Sequence, residues 1–176
     1  YQMSTAAIPN ARRLLQGWMK NYSASRMSLF DKEGRLVVAL MRSETGEAKS
    51  QSNLESGDVY LREALLKQLD TTSQIKFRDF DRSTGLLELI VYTKIVSKKA
   101  KAVGFLEEII SIDSSYLQGM QKRLNLEIFL LDKDARARVS TNEDFMLYPK
   151  TFFAEKIGES KNSFFEVLVR GVPYAV

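Results

Sequence analysis

Two stretches of this chain repeat one another. Leu29-Phe30-Asp31-Lys32-Glu33-Gly34-Arg35 runs apolar, apolar, Asp, Lys, acid, small, Arg. Leu130-Leu131-Asp132-Lys133-Asp134-Ala135-Arg136 runs the same way. Each copy follows alternating apolar residues and precedes another short apolar run. A strand that enters Asp-Lys-acid-small and leaves at Arg reads as a hairpin, because Asp and Gly accept the positive-φ positions of tight turns. Two unrelated hairpins with ordinary turn residues would give the same text. Two copies of one small α+β lobe would also give it, and that duplication is the organisation expected here.

The length of 176 residues suits one medium domain or two small lobes, at roughly 100–200 residues per domain. With 44% hydrophobic and 27% charged residues, the composition is that of a chain with a packed core. There is no Cys and no His. Thiol nucleophiles, Cys/His zinc sites, haem ligation by either residue and His-dependent triads are thereby excluded. Only a carboxylate and carbonyl site could hold a metal. Asp132-Lys133-Asp134 lacks the further acids of a calcium loop, so neither a metal nor a cofactor is expected. The net charge is +4 with pI about 9.2, and the basic residues are interleaved with acids. The densest run, Lys98-Lys99-Ala100-Lys101, lies between two apolar runs and reads as a solvated hairpin tip. No aromatic RNA-binding motif or long basic helix accompanies it, so a nucleic-acid partner is not expected. No apolar stretch approaches the ~20 residues of a membrane span, and no signal peptide opens the chain. Tyr1-Gln2-Met3 reads as an arbitrary cut, and Val172-Pro173-Tyr174-Ala175-Val176 stops inside an apolar run. The chain is therefore expected to be the soluble part of something longer.

Taken in order, residues 4–25 carry Ile8, Ala11, Leu14, Leu15, Trp18, Met19 and Tyr22 at helical spacing, giving one apolar stripe. Residues 27–41 form the first hairpin. Residues 43–56 are polar and read as a loop. Asp58 is the expected N-cap of a helix from Val59 to about Leu69. Three strands follow, over 75–80, 86–96 and 102–112. The first alternates, and the other two are nearly continuous apolar runs, which predicts a sheet covered on both faces. Asp113 or Ser114 caps a helix through Arg123. The second copy then opens at Leu126, followed by a short helix near 151–157 and strands over 164–169 and 172–176. About four strands stand in the second copy against five in the first, so the second lobe is expected to be incomplete.

This order resembles the double-Cache sensor domains, a PAS-like family found outside the membrane in bacterial receptors. Three groups of residues carry the resemblance. Ala102-Val103-Gly104-Phe105-Leu106, leading into Ile112-Asp113-Ser114-Ser115-Tyr116-Leu117, looks like the family's Gly-containing last strand and linking helix. Leu124-Asn125-Leu126-Glu127-Ile128-Phe129-Leu130-Leu131-Asp132, with Val139-Ser140-Thr141, is similar to the opening of the second lobe. Gly171-Val172-Pro173-Tyr174-Ala175 is similar to the strand in which that lobe continues. The resemblance implies an α+β fold: an N-terminal helix (1–25), a membrane-distal lobe (26–112), a linking helix (113–125) and part of a membrane-proximal lobe (126–176). It also implies flanking membrane segments, a periplasmic or extracellular location, a homodimer in the full receptor, and a kinase, chemotaxis or cyclic-dinucleotide output.

Ligands of that family bind the distal lobe, here between residues 43–69 as cover and strands 74–96 and 101–112 as floor. Glu88, Tyr92 and Lys94 share one face of the long strand by the period of two, and Arg78 lies on its neighbour. These four are the expected pocket residues. As structural residues, Tyr92 would be core and the charges would form cross-strand pairs. Asp113 matches the aspartate that holds an amine in the family's amino-acid binders, but it is also placed to cap a helix. The accompanying Arg, Trp and Tyr signature is missing, since Trp18 stands alone in the first helix. An Arg78 or Lys94 facing the pocket would favour a carboxylate. Adjacent Glu107 and Glu108 point to opposite faces of a strand and cannot form a catalytic dyad. No P-loop, dinucleotide glycine pattern or nucleophile elbow is present. The expected function is non-catalytic ligand sensing for a receptor, with a dimerisation or protein-interaction module as the rival.

Overall fold

The repeated sequence is a repeated backbone geometry. Asp31 Oδ1 accepts from the Glu33 and Arg35 N–H groups at 3.0 and 2.9 Å, and the Gly34 N–H returns to the Asp31 carbonyl at 3.0 Å. Asp132 Oδ1 accepts from the Asp134 and Arg136 N–H groups at 2.8 and 3.0 Å, and the Ala135 N–H returns to the Asp132 carbonyl at 3.0 Å. Gly34 and Ala135 hold the left-handed position, at φ 81° and 57°. The turn at 97–101 uses the same frame. Ser97 Oγ replaces the carboxylate, accepting from the Lys101 N–H at 3.3 Å, and Ala100 sits at φ 58°. Asp81 organises the turn at 81–86 by accepting from Ser83 and Thr84, which holds its carboxyl down at about 2.

The computed structural model describes residues 7–43, 47–50, 59–132, 134–159, 166–169 and 172–175. The chain divides into two compact units, one from residues 1–80 and 87–111, the other from 81–86 and 112–176. The first contains α1 (Ala7–Asn21), β1 (Arg26–Asp31), β2 (Leu36–Arg42), β3 (Ala48–Ser50), α2 (Glu63–Thr71), β4 (Gln74–Phe80), β5 (Leu87–Val96) and β6 (Ala102–Ser111). Its six strands form one antiparallel sheet in the order β3-β2-β1-β6-β5-β4.

Helices cover both faces of the middle of that sheet, as its apolar strands predict, while the edge strand β4 is almost wholly exposed. On one face Met27, Val38, Leu40 and Leu106 pack with Leu15, Met19 and Ala24. On the other, Phe30, Leu36, Ile90, Tyr92, Phe105 and Ile109 pack with Leu61 and Leu69, joined by Leu65 and Leu66. A single side chain fixes the end of α1. Arg42 of β2 donates from Nε to the Ala24 carbonyl at 3.1 Å, and from Nη2 to the carbonyls of Tyr22 at 2.6 Å and of Met19. Carbonyls at a helix C-terminus lack intrahelical donors, and the guanidinium supplies them from the sheet.

Three expectations change. The helix expected from Val59 begins at Glu63. Val59–Leu61 instead lies against the β1–β2 turn: the Val59 carbonyl accepts from the Leu36 N–H, and the Leu61 N–H donates to Gly34, both at 2.8 Å. Those backbone groups are satisfied without a helix. Asp58 lies outside the described residues. Within the expected loop 43–56, Ala48–Ser50 is a strand on β2; it is short and at the sheet edge, so it carries no apolar alternation. Leu14 on α1 and Tyr22 just past its end are exposed, because the sheet covers only the line through Ala11, Leu15, Trp18 and Met19.

The second unit contains α3 (Ser114–Leu124), β7 (Phe129–Leu131), β8 (Ala137–Ser140), a 3-10 helix (Glu143–Leu147), α4 (Lys150–Glu159), β9 (Glu166–Val169) and β10 (Val172–Ala175). β7 pairs with β8 and β9 with β10. Phe145 and Phe153 are its buried centre, with Phe129 stacked on Phe145 at 4.5 Å. Among the described residues no helix is long and apolar enough to cross a membrane.

Two glycine exchanges test these packing statements. A Cβ on Gly104 would stand 2.5 Å from the Phe30 carbonyl oxygen, so Gly104→Ala forces β1 and β6 apart and should cost at least ~1–3 kcal/mol. Ala100→Gly relieves a left-handed alanine on an exposed tip and should stabilise by about 0.5–1 kcal/mol. Thermal denaturation of both variants reads the two signs.

Candidate functional site

The floor under α2 is a lattice of side chains in fixed register. Ser28 of β1, Glu107 of β6, Tyr92 of β5 and Ile75 of β4 lie opposite one another across the sheet. The next row holds Arg26, Ile109, Ile90 and Phe77. The row on the other side holds Phe30, Phe105 and Lys94. An apolar floor thus carries one concentrated polar group at its centre.

That group is the Glu107 carboxylate, 8% exposed. Tyr92 donates its hydroxyl to Oε1 at 2.5 Å, and Ser28 donates its hydroxyl to Oε2 at 2.8 Å. Arg26 Nε stands 3.8 Å from Oε2, near enough to balance the charge but too far for a hydrogen bond. A buried carboxylate is tolerated only when it is paired and hydrogen-bonded, and the two strands flanking β6 supply what it needs. Burial pushes the Tyr92 phenol up, and Glu107's charge and hydrogen bond push it the same way; the charges of Arg26 and Arg62 pull it back. Phe77 stacks on the Tyr92 ring at 5.8 Å and stays 37% exposed, so an aromatic surface adjoins the polar centre.

The residues singled out from the sequence are distributed unevenly around this centre. Glu88, Tyr92 and Lys94 share the α2 face of β5. Glu88 accepts from the Ser111 hydroxyl at 3.3 Å. Lys94 Nζ donates to the Asp70 carbonyl at 3.1 Å, in the last turn of α2, where a cation complements the helix dipole. Arg78 pairs with Leu89 in register, so it points to the opposite face from Tyr92. Asp113 caps α3, its carboxylate accepting from the Tyr116 N–H at 2.8 Å. Glu107 and Glu108 point to opposite faces, and burial pushes the Glu108 carboxyl up. Sequence reasoning did not single out Arg26, Ser28, Arg62 or Glu107 as site residues. For Glu107 a signal existed: it is the one acid between Phe105 and Ile109 on an apolar face. Among the described residues, no three acids cluster as metal ligands.

No protein-family model and no curated protein sequence matches the chain. Solved structures do match. The ligand-binding domain of the Campylobacter jejuni chemoreceptor Tlp3, in complex with L-norvaline, superposes with TM-score 0.56 at 15% identity, over 99% of this chain and 67% of that one. A domain of a protein from Vibrio parahaemolyticus, assigned to the sensory box/GGDEF family, gives 0.54 at 14%, over 97% and 77%. The extracellular domain of a protein assigned as a histidine kinase gives 0.52 at 14%, over 93% and 72%. At these identities the likeness establishes the fold: an N-terminal helix and antiparallel sheet of the PAS-like kind seen in sensory domains.

Tyr92→Phe removes one of the two hydroxyls on Glu107. It should cost ~1.5–3 kcal/mol, as expected for a hydrogen bond to a charged group. Because the folded phenol holds its proton to higher pH than the unfolded one, its contribution is complete below about pH 10 and fades as pH rises beyond it. Chemical denaturation of both proteins at pH 7 and above pH 10 should show the gap narrowing.

Proposed function

We propose that this chain is the ligand-sensing, non-catalytic part of a bacterial transmembrane receptor, of the double-Cache type, exposed outside the cytoplasm. Residues 26–112 would be the membrane-distal lobe, 113–125 the linking helix and 126–176 part of the membrane-proximal lobe. A small molecule would bind on the α2 side of the six-stranded sheet. The observation that carries this reading is the buried Ser28–Glu107–Tyr92 row in an apolar floor. Binding sites are mostly apolar, with a few placed polar groups. The fold supports it, since chemoreceptor ligand-binding domains share it, one of them with an amino acid bound. A ligand shifts a receptor only if it prefers one packing over another. α1, tied to β2 through Arg42, is the element that would carry such a shift in a homodimeric receptor. The exposed Leu14 on that helix and Tyr22 just past its end favour a second reading, a dimerisation or protein-interaction module.

Melting of the 176-residue chain against amino acids, carboxylates, amines, nucleobases and divalent ions separates the two. A true ligand stabilises by RT ln(1 + [L]/Kd), about 2.7 kcal/mol at a hundredfold excess. The expected result is a shift with one class, lost in a still-folded Tyr92→Ala variant. No shift with any class would favour the interaction module.

A further inference from the structure

β4 is the outermost strand of the six-stranded sheet, and all of its residues but Ile75 are exposed. At one end of its ladder with β5 the Lys94 N–H donates to the Ser73 carbonyl, and at the other the Asp81 N–H donates to the Leu86 carbonyl, both at 2.9 Å. Opposed residues of an antiparallel pair exchange bonds only at every second position. Ser73 and Asp81 therefore place the odd-numbered residues in the bonded set. Gln74, Lys76, Arg78 and Phe80 turn their N–H and carbonyl groups away from β5. The Phe80 N–H is taken by Asp79 Oδ1 at 2.8 Å. Those of Gln74, Lys76 and Arg78 meet no backbone partner among the described residues.

The same residues carry the charge of this edge. By the period of two, Lys76, Arg78 and Phe80 share the side of the sheet on which α1 lies, and Phe77 and Asp79 take the other. Across β5, Lys76 faces Val91 and Arg78 faces Leu89. Glu108, the acid on their side of β6, stands beyond Val91, two strand spacings or ~10 Å from Lys76. Neither cation forms an ion pair with a described residue. Phe77 and Phe80 are 37% and 50% exposed beside them. A second copy of β4 fits this edge badly. Two antiparallel copies related by a two-fold axis put residues of like parity opposite one another. In the registers that overlap most of the strand, Lys76 meets Arg78 twice with Phe77 on the axis, and either cation on the axis meets itself. Like charges directly opposite destabilise a strand pair, and lysines on an edge keep copies of a chain apart.

We propose that the free edge of β4 takes an extended segment of a partner protein as a seventh, antiparallel strand, with acidic residues at two alternate positions and an apolar residue between them. The acids stand opposite Lys76 and Arg78, in the bonded positions and on the α1 side. The apolar residue between them stands on the other side, opposite Phe77. In strand addition the main-chain bonds supply affinity and the alternate side chains supply selectivity. The assignment gives Arg78 a role that the α2 side of the sheet does not, and it stands independently of the ligand-sensing reading.

Fluorescence anisotropy on the 176-residue chain tests the proposal with a labelled, end-blocked peptide, Thr-Glu-Val-Glu-Val-Glu-Thr. It should bind, and versions with Gln or Lys in place of Glu should bind more weakly and not at all. N-methylation at the glutamates, whose amides face the edge, should abolish binding, and at the valines should leave it. Lys76→Gln and Arg78→Gln should each weaken binding about two- to fivefold, and Lys76→Glu with Arg78→Glu should abolish it. The equal charge change Arg12→Glu with Arg13→Glu, on α1, should leave it unchanged. All four side chains are exposed, so these exchanges spare the core. No binding of the glutamate peptide at millimolar concentration, or equal binding of the glutamine version, overturns the acidic partner. Binding indifferent to the position of the methyl groups or to the edge variants overturns strand addition. Self-association in sedimentation that Arg78→Pro abolishes, through loss of one outward N–H, seats a second copy on the edge and overturns the proposal as well.

Discussion

A carboxylate inside a sheet must be answered by its neighbours, and Glu107 on β6 is answered by the two strands that flank it, β1 and β5. Tyr92 on β5 and Ser28 on β1 donate to it, and Arg26, two residues before Ser28, balances it. Those partners exist only in one register. A one-residue slip of β1 against β6 would set Met27 or Leu29 beside the carboxylate and turn Ser28 to the other face. The apolar rows on either side would tolerate many hydrophobic exchanges. The polar row would not, so it fixes how the middle of the sheet is assembled.

The two faces of the sheet are held by different chemistry. Under α2 the polar row sits inside an apolar floor, with the cover fastened through Leu61 and Val59 to the β1–β2 turn. Under α1 the contact is apolar, and one guanidinium, Arg42, collects the helix's terminal carbonyls. The candidate site and the helix thus share β1 and β2, which lie between them. A change in how the floor packs reaches α1 through two strands.

Much of this was legible in the sequence. The repeated Asp turn announced its own geometry because the Asp side chain, the left-handed fourth residue and the flanking strands are all local. The continuous apolar runs of β5 and β6 announced a sheet covered twice. What stayed hidden depended on distant pairing. Val59–Leu61 has the residues of a helix start, yet β1 and β2 claim its backbone. Ala48–Ser50 is a strand only because β2 offers an edge. The site was half visible. Tyr92, Glu88 and Lys94 share a face by counting alone, but which face Arg78 takes depends on the β4–β5 register. Ser28 and Arg26 become neighbours of Tyr92 only through the intervening β6.

The strand order has a kinetic side. Every ladder in the six-stranded sheet joins strands adjacent in sequence, except the one between β1 and β6. The hairpins can close early at small entropic cost, each around its own turn. The β1–β6 ladder must instead bring together strands separated by four others and a helix, and pairings of that span form slowly. The Ser28–Glu107 bond and the Arg26 contact both straddle this ladder. The polar centre of the site is therefore also the seam of the domain, completed only when the two halves of the sheet meet.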